Sequence, residues 1–187
     1  MRILIYALPR TGSNNLTHYI ANSLHYKEII EPYNENRFWD KDLTEFDIWE
    51  RGNVVVKMMF GEGGNWHKDI KHKFDKTVVL YRENTKEQAE SYAHALKSTD
   101  WHSRYIYNPD NTTEEDYLEA HKIFKDRIVQ VKKLNEFTVK YEDLYISGTD
   151  KDRLDEYIGI TNKSFRFMLD SRNKYRKSSL EEKRPLI

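Results

Sequence analysis

The chain has 187 residues, a length typical of one domain, and 33% of them are charged, with 31 Lys and Arg against 31 Asp and Glu. That balance removes the basic excess a nucleic-acid partner would call for, while leaving open a local basic pocket for a small anion. The absence of cysteine excludes disulfides, thiolate metal sites and cysteine nucleophiles, and a reducing cytoplasm is the simpler setting.

Taken along the chain, the first apolar run predicts a strand over Ile3–Tyr6, and its extension to Leu8 is too short for a signal-peptide core or a membrane span. Leu16, Tyr19, Ile20 and Leu24 then recur on one helical face. "YKEII" at 26–30 is a weaker strand, followed by an irregular segment and two clear strands at Val54–Met59 and Thr77–Tyr81. Two helical stripes come next: Ala89, Tyr92, Ala93 and Leu96, then Tyr117, Ala120, Phe124, Ile128 and Val131. Thr85 with Gln88, and Thr112 with Glu115, have the spacing of capping boxes at the two helix starts. A last strand is expected at Phe137–Tyr141, before a final helix that ends near "YIGI" at 157–160. Continuous apolar strands separated by amphipathic helices predict a three-layer α/β/α fold with a mostly parallel central sheet, buried on both faces. We expect a single domain over 1–187, whose basic tail, 172–187, is partly mobile. The seven histidines form no HExxH pattern, and no metal is expected.

The turn after the first strand, "ALPRTGSNNL" at 7–16, carries the chemistry. A small-residue loop opening a helix presents unpaired backbone N–H groups and the positive end of a dipole to an anion. Gly12 permits close backbone approach, Ser13, Asn14 and Asn15 add donors, and Arg10 brings a forked cation suited to oxyanions. The plainer alternative is an ordinary helix cap closed by Ser13 or Asn14. The loop lacks the GK[ST] ending that grips nucleotide phosphates and Mg²⁺, which weakens an ATP- or GTP-driven role. A second stretch, "VVLYRENTKEQAESYAHAL" at 78–96, places Arg82 at a strand's end and Ser91 on the following helix, so that both can converge on one phosphate, unless they are simply a surface arginine and a solvated serine.

Together the two stretches resemble the PAPS-dependent sulfotransferases, which transfer a sulfuryl group from 3′-phosphoadenosine 5′-phosphosulfate. "PRTGSNNL" resembles their 5′-phosphosulfate loop, "YRENTKEQAESY" their 3′-phosphate motif, and "VKYEDL" at 139–144 a third stretch near the adenine. "YIGI" resembles the end of the helix that follows. The resemblance spans residues 1 to about 160 and implies a P-loop-containing nucleoside triphosphate hydrolase-like fold. It implies that Arg10, Thr11 (through its backbone), Gly12, Ser13, Asn14 and Asn15 hold the phosphosulfate, that Arg82 and Ser91 hold the 3′-phosphate, and that Tyr141 lies beside the adenine. Asn14 stands where the family often has Ser or Thr, and Ser91 comes nine positions after Arg82 rather than about eight.

Lys57 would help hold the transferring group. Two residues on, where the cytosolic branch of the family has a catalytic histidine, stands Met59, so the base must be another group. Glu31 in "IIEPYNE" resembles the glutamate of the carbohydrate-acting branches, with Glu35 the nearest rival and an ion pair to Arg37 the plain alternative. Arg176 and Lys177 match the family's C-terminal pair that closes over the nucleotide, although Ser178 replaces the following glycine. The implied activity is in-line sulfuryl transfer from PAPS, leaving PAP, to a hydroxyl acceptor. Catalysis would rest on Arg10, Lys57 and Glu31, without a metal. Two other readings stay open: a non-catalytic nucleotide-binding protein of the same fold, and a P-loop kinase. The acceptor, a small metabolite or glycan among other candidates, would be met by the segments carrying Trp39, Trp49, Trp66 and Trp101, with Tyr105 and Tyr107 nearby, unless these rings only cap the sheet edge.

Overall fold

The computed structural model describes residues 1–32, 52–60, 71–97 and 112–161. Five strands form one sheet: β1 (Arg2–Ala7), β2 (Lys27–Ile30), β3 (Val54–Met59), β4 (Lys76–Tyr81) and β5 (Phe137–Lys140), in the order β2-β3-β1-β4-β5. Every neighbouring pair is parallel, with Ile5 opposite both Lys57 and Val78. Among the described residues the helices are α1 (Ser13–Leu24), α2 (Thr85–Lys97), α3 (Glu114–Lys132) and α4 (Lys151–Ile158), with a short 3-10 turn at Lys71–Lys73 and a π-helical turn at Glu142–Ile146.

The strand sequences explain the layering. In β1, Ile3, Ile5 and Ala7 face one way and Leu4 and Tyr6 the other, and all five are buried. The first set packs with Leu16, Tyr19 and Ile20 of α1 and with Leu154 and Ile158 of α4. The second packs with Ala89 and Ala93 of α2 and with Ala120, Phe124 and Val131 of α3. The central sheet is thus covered on both faces, as continuous β-branched runs require. All five expected strands form, with ends within one residue of their expected limits.

Both expected capping boxes are corrected. The side chains of Thr85 and Gln88 do not cap α2: Thr85 Oγ1 meets His121 Nε2 at 3.1 Å, and the Gln88 amide donates to the Pro9 carbonyl at 2.6 Å. Asn84, just before α2, accepts the Glu87 N–H instead, at 3.3 Å. At α3 the box is one residue later than expected, Thr113 with Asp116, and both reciprocal bonds are made. Two adjacent threonines and a row of acids allow either register, and the structure takes the later one.

Candidate anion-binding site at the carboxyl edge of the sheet

Parallel strands deliver their following loops to one edge. The loop after β1, the ends of β2 and β3, the turn after β4 and the π-turn after β5 therefore share it. Within the β1–α1 loop Arg10 lies in the left-handed region (φ 63°), unusual for a residue with a side chain. Thr11 is fully buried and its hydroxyl donates back to the Leu8 carbonyl at 2.7 Å, so its side chain braces the loop from inside. Gly12 is the N-cap of α1, at φ 75° and ψ 18°, with no side-chain cap hydrogen bond. Neither Ser13 nor Asn14 is therefore the cap, and α1 has no acidic residue in its first turn. A helix start left uncapped by side chains is a favourable place for an anion.

The close approach at Gly12 comes from Tyr145 in the π-turn. A Cβ there would lie 3.1 Å from the Tyr145 ring. The Tyr145 hydroxyl donates to the Gly12 carbonyl at 2.7 Å. The ring thus pins the loop to the segment after β5.

Lys57 stands in the middle of a fully buried strand, "VVVKMM", on the same face as Val55. That face meets α1, and its ammonium donates to Asn14 Oδ1 at 2.7 Å. It also forms an ion pair with Glu31, both side chains being at least nine-tenths buried. The β2–β3 register makes this pairing: Ile30 lies opposite Lys57, and the Glu31 N–H donates to the Lys57 carbonyl at 2.8 Å. Glu31 takes φ 52° to turn out of the strand there. Three sequence-predicted residues, Asn14, Glu31 and Lys57, are brought into one cluster.

Arg82 follows β4 and is 5% exposed. Its guanidinium lies over the Tyr141 ring, 4.5 Å from the centroid, and Nη2 meets Glu87. Glu142 Oε1 is 4.0 Å from Arg82 Nε, beyond hydrogen-bond length, and that nitrogen is buried with no hydrogen-bond partner. The Glu142 carboxylate instead accepts the N–H groups of Glu83, at 3.1 Å, and Asn84, at 3.0 Å, fixing the β4–α2 turn. Beside it, Lys132 and Lys140 bracket Glu83 at 3.0 and 3.6 Å, and the Lys132 hydrogen bond holds the Glu83 carboxyl below its usual range.

Ser91, expected beside Arg82, accepts a hydrogen bond from Arg10 Nε at 2.9 Å. The two motifs are thus joined directly across 81 residues of sequence. Sequence reasoning gave no role to Glu87, Glu142 or Tyr145. An acidic residue directly after a strand end is the signal that would have flagged Glu142. The charged tail with Arg176 and Lys177 lies outside the described residues, as do Glu35, Trp39, Trp49, Trp66, Trp101, Tyr105 and Tyr107. Among the described residues no group of acids and histidines forms a metal site, and no helix is long and apolar enough to cross a membrane.

No known family's sequence profile matches the chain, and no curated protein matches it. Among solved structures, the mouse sulfotransferase SULT7A1, in complex with PAP, matches with a TM-score of 0.50 and 16% identity, over 99% of this chain and 68% of that one. Shikimate kinase from Aquifex aeolicus matches with a TM-score of 0.49 and 16% identity, over 83% of this chain and 96% of that one. At 16% identity the sulfotransferase match is a likeness of fold alone, a three-layer α/β architecture with a parallel central sheet.

Proposed function

We propose that the protein is a PAPS-dependent sulfotransferase acting on a hydroxyl group of a small metabolite or glycan. The observation that carries this reading is the 2.9 Å hydrogen bond from Arg10 Nε to Ser91 Oγ, which puts the β1–α1 loop and the helix after Arg82 at one edge of the sheet. A bis-anionic adenosine donor needs two cationic cradles side by side, and the adjacent β1 and β4 supply them. The buried Arg82 guanidinium, whose Nε makes no hydrogen bond, supports a second phosphate at this edge. The "VKYEDL" stretch supports the reading as well, since its Tyr141 carries the Arg82 guanidinium.

The donor, when bound, supplies an activated sulfuryl group on a phosphate leaving group. The chain's own residues bind and orient it. Arg10, Gly12, Ser13, Asn14, Asn15 and the Thr11 backbone would hold the phosphosulfate at the α1 start, and Arg82 and Ser91 the 3′-phosphate. Tyr141 would lie beside the adenine, and Arg176 and Lys177 of the tail would add to the nucleotide site. Lys57 provides fixed positive charge beside the transferring group. Glu31 would accept the proton of the acceptor hydroxyl on a carboxylate oxygen, a role worth about 10²–10⁴ in rate.

Thermal melting with PAP tests binding, because a ligand that binds only the folded state raises Tm. PAP should raise it, and Arg82→Ala should remove the shift. A shift with ATP and Mg²⁺ but none with PAP would overturn the reading in favour of a kinase. Transfer of labelled sulfate from PAPS to a panel of hydroxyl acceptors separates an enzyme from a non-catalytic binder. Glu31→Gln should keep the PAP shift and lose transfer.

A further inference from the structure

Arg82 is nearly fully buried, yet its guanidinium is already engaged. Its Nη2 meets Glu87, whose side chain is 48% exposed, while its Nε has no hydrogen-bond partner and lies 4.0 Å from Glu142 Oε1. Glu87 occupies the third position of α2, where a glutamate ordinarily reaches back to the N–H of the residue before the helix. Here that N–H, on Asn84, is taken by Glu142 at 3.0 Å. Half of the capping arrangement survives, with Asn84 Oδ1 accepting the Glu87 N–H at 3.3 Å. The Glu87 carboxylate is thereby released from capping and turned onto Arg82. It is half in water, so letting go of Arg82 leaves it solvated and costs little. Glu142, by contrast, is held by two backbone N–H groups and stays in place.

We propose that Glu87 is a resident competitor for Arg82, a carboxylate that the ligand's second phosphate must displace, and that it sets how strongly the site discriminates nucleotides carrying that phosphate. The inference rests on the PAPS reading above. A dianionic phosphate outcompetes a single carboxylate for a forked guanidinium. A nucleotide without the 3′-phosphate leaves the Arg82–Glu87 pair closed. Glu87 therefore weakens PAP while leaving 5′-AMP untouched.

Titration calorimetry of the full chain with PAP and with 5′-AMP tests this, in wild type, Glu87→Gln, Glu87→Ala and Arg82→Ala. Both Glu87 variants should bind PAP about fivefold more tightly, the scale of an ion pair with one exposed partner. Their affinity for 5′-AMP should stay at the wild-type value, so the PAP-to-AMP ratio rises. Arg82→Ala should lower that ratio. Wild-type PAP binding with no tightening in either Glu87 variant overturns the inference and leaves the functional reading standing. Equal tightening toward both nucleotides reduces Glu87 to a bulk charge effect and overturns it too. Failure of every form to bind PAP overturns the functional reading and this inference with it.

Discussion

At the scale of single residues, the best-defined polar group away from the sheet edge is the Tyr19–Asp155–Lys151 cluster between α1 and α4. Asp155 is 3% exposed and accepts from the Tyr19 hydroxyl at 2.7 Å and from Lys151 at 2.5 Å, while Lys151 also donates to the Tyr19 oxygen at 2.9 Å. Burial pushes the Tyr19 hydroxyl above its ordinary value of 10.0, with Lys151 pulling against it and Asp155 adding to it. Burial alone would lower Lys151, but its hydrogen bonds to Asp155 and Tyr19 outweigh that and hold it above 10.5. Both groups keep their protons longer folded than unfolded. Their contribution is therefore full below about pH 10 and is lost as pH rises through the folded values. Denaturant unfolding across pH 8 to 11 should show stability falling above about pH 10, and Tyr19→Phe should flatten that fall. Asp155→Ala, which removes the shared acceptor of the Tyr19 hydroxyl and the Lys151 ammonium, should cost about 2–3 kcal/mol at neutral pH.

At the scale of elements, the β1–α1 loop is held by a backbone conformation and an aromatic wall together. Gly12 at φ 75° is where a side chain is strained by about 1–2 kcal/mol, and a new Cβ would press on the Tyr145 ring at 3.1 Å. Gly12→Ala should therefore lower Tm and abolish the PAP-induced shift, since the ring cannot yield without releasing its bond to the Gly12 carbonyl. Tyr145→Phe, which removes that hydrogen bond and keeps the ring, should cost about 1 kcal/mol and leave PAP binding largely intact. A Gly12→Ala protein that melts as wild type and still responds to PAP would show that the loop's geometry is not needed. The need for glycine was legible in the sequence, but its cause was not. Tyr145 lies 133 residues away and reaches the loop only because the parallel sheet brings the end of β5 to the same edge. The strands themselves were legible because a sheet buried on both faces writes itself as unbroken apolar runs. The start of α2 at Thr85 was legible too, but its cap was not, because Gln88 bonds the Pro9 carbonyl rather than its own helix start.

At the scale of the whole molecule, the Lys57–Glu31 pair, with the Lys57–Asn14 bond, fastens β2, β3 and the first turn of α1 together. The sequence offered Lys57 and Glu31 as separate candidates. Their contact depends on the β2–β3 register, which spacing alone does not reveal. Side-chain exposures of 5% and 10% make this a buried pair, in which removing one partner leaves an uncompensated charge and costs about 3–5 kcal/mol. Lys57→Met also deprives Asn14 Oδ1 of its donor. Chemical denaturation should then show Lys57→Met as the most destabilised of the set, because it removes the cation from a buried Glu31 carboxylate. Adding Glu31→Gln to Lys57→Met removes the stranded charge and should recover about 1–2 kcal/mol. In a double-mutant cycle the two changes must be far from additive. If the double variant is instead destabilised by the sum of the singles, the two groups act independently, and the coupling that places the candidate base beside the anion loop is absent. A coupled pair predicts one further result: Glu31→Gln alone, which keeps a hydrogen-bonding side chain beside Lys57, should be better tolerated than Lys57→Met, so that its loss of sulfuryl transfer can be measured in a folded protein.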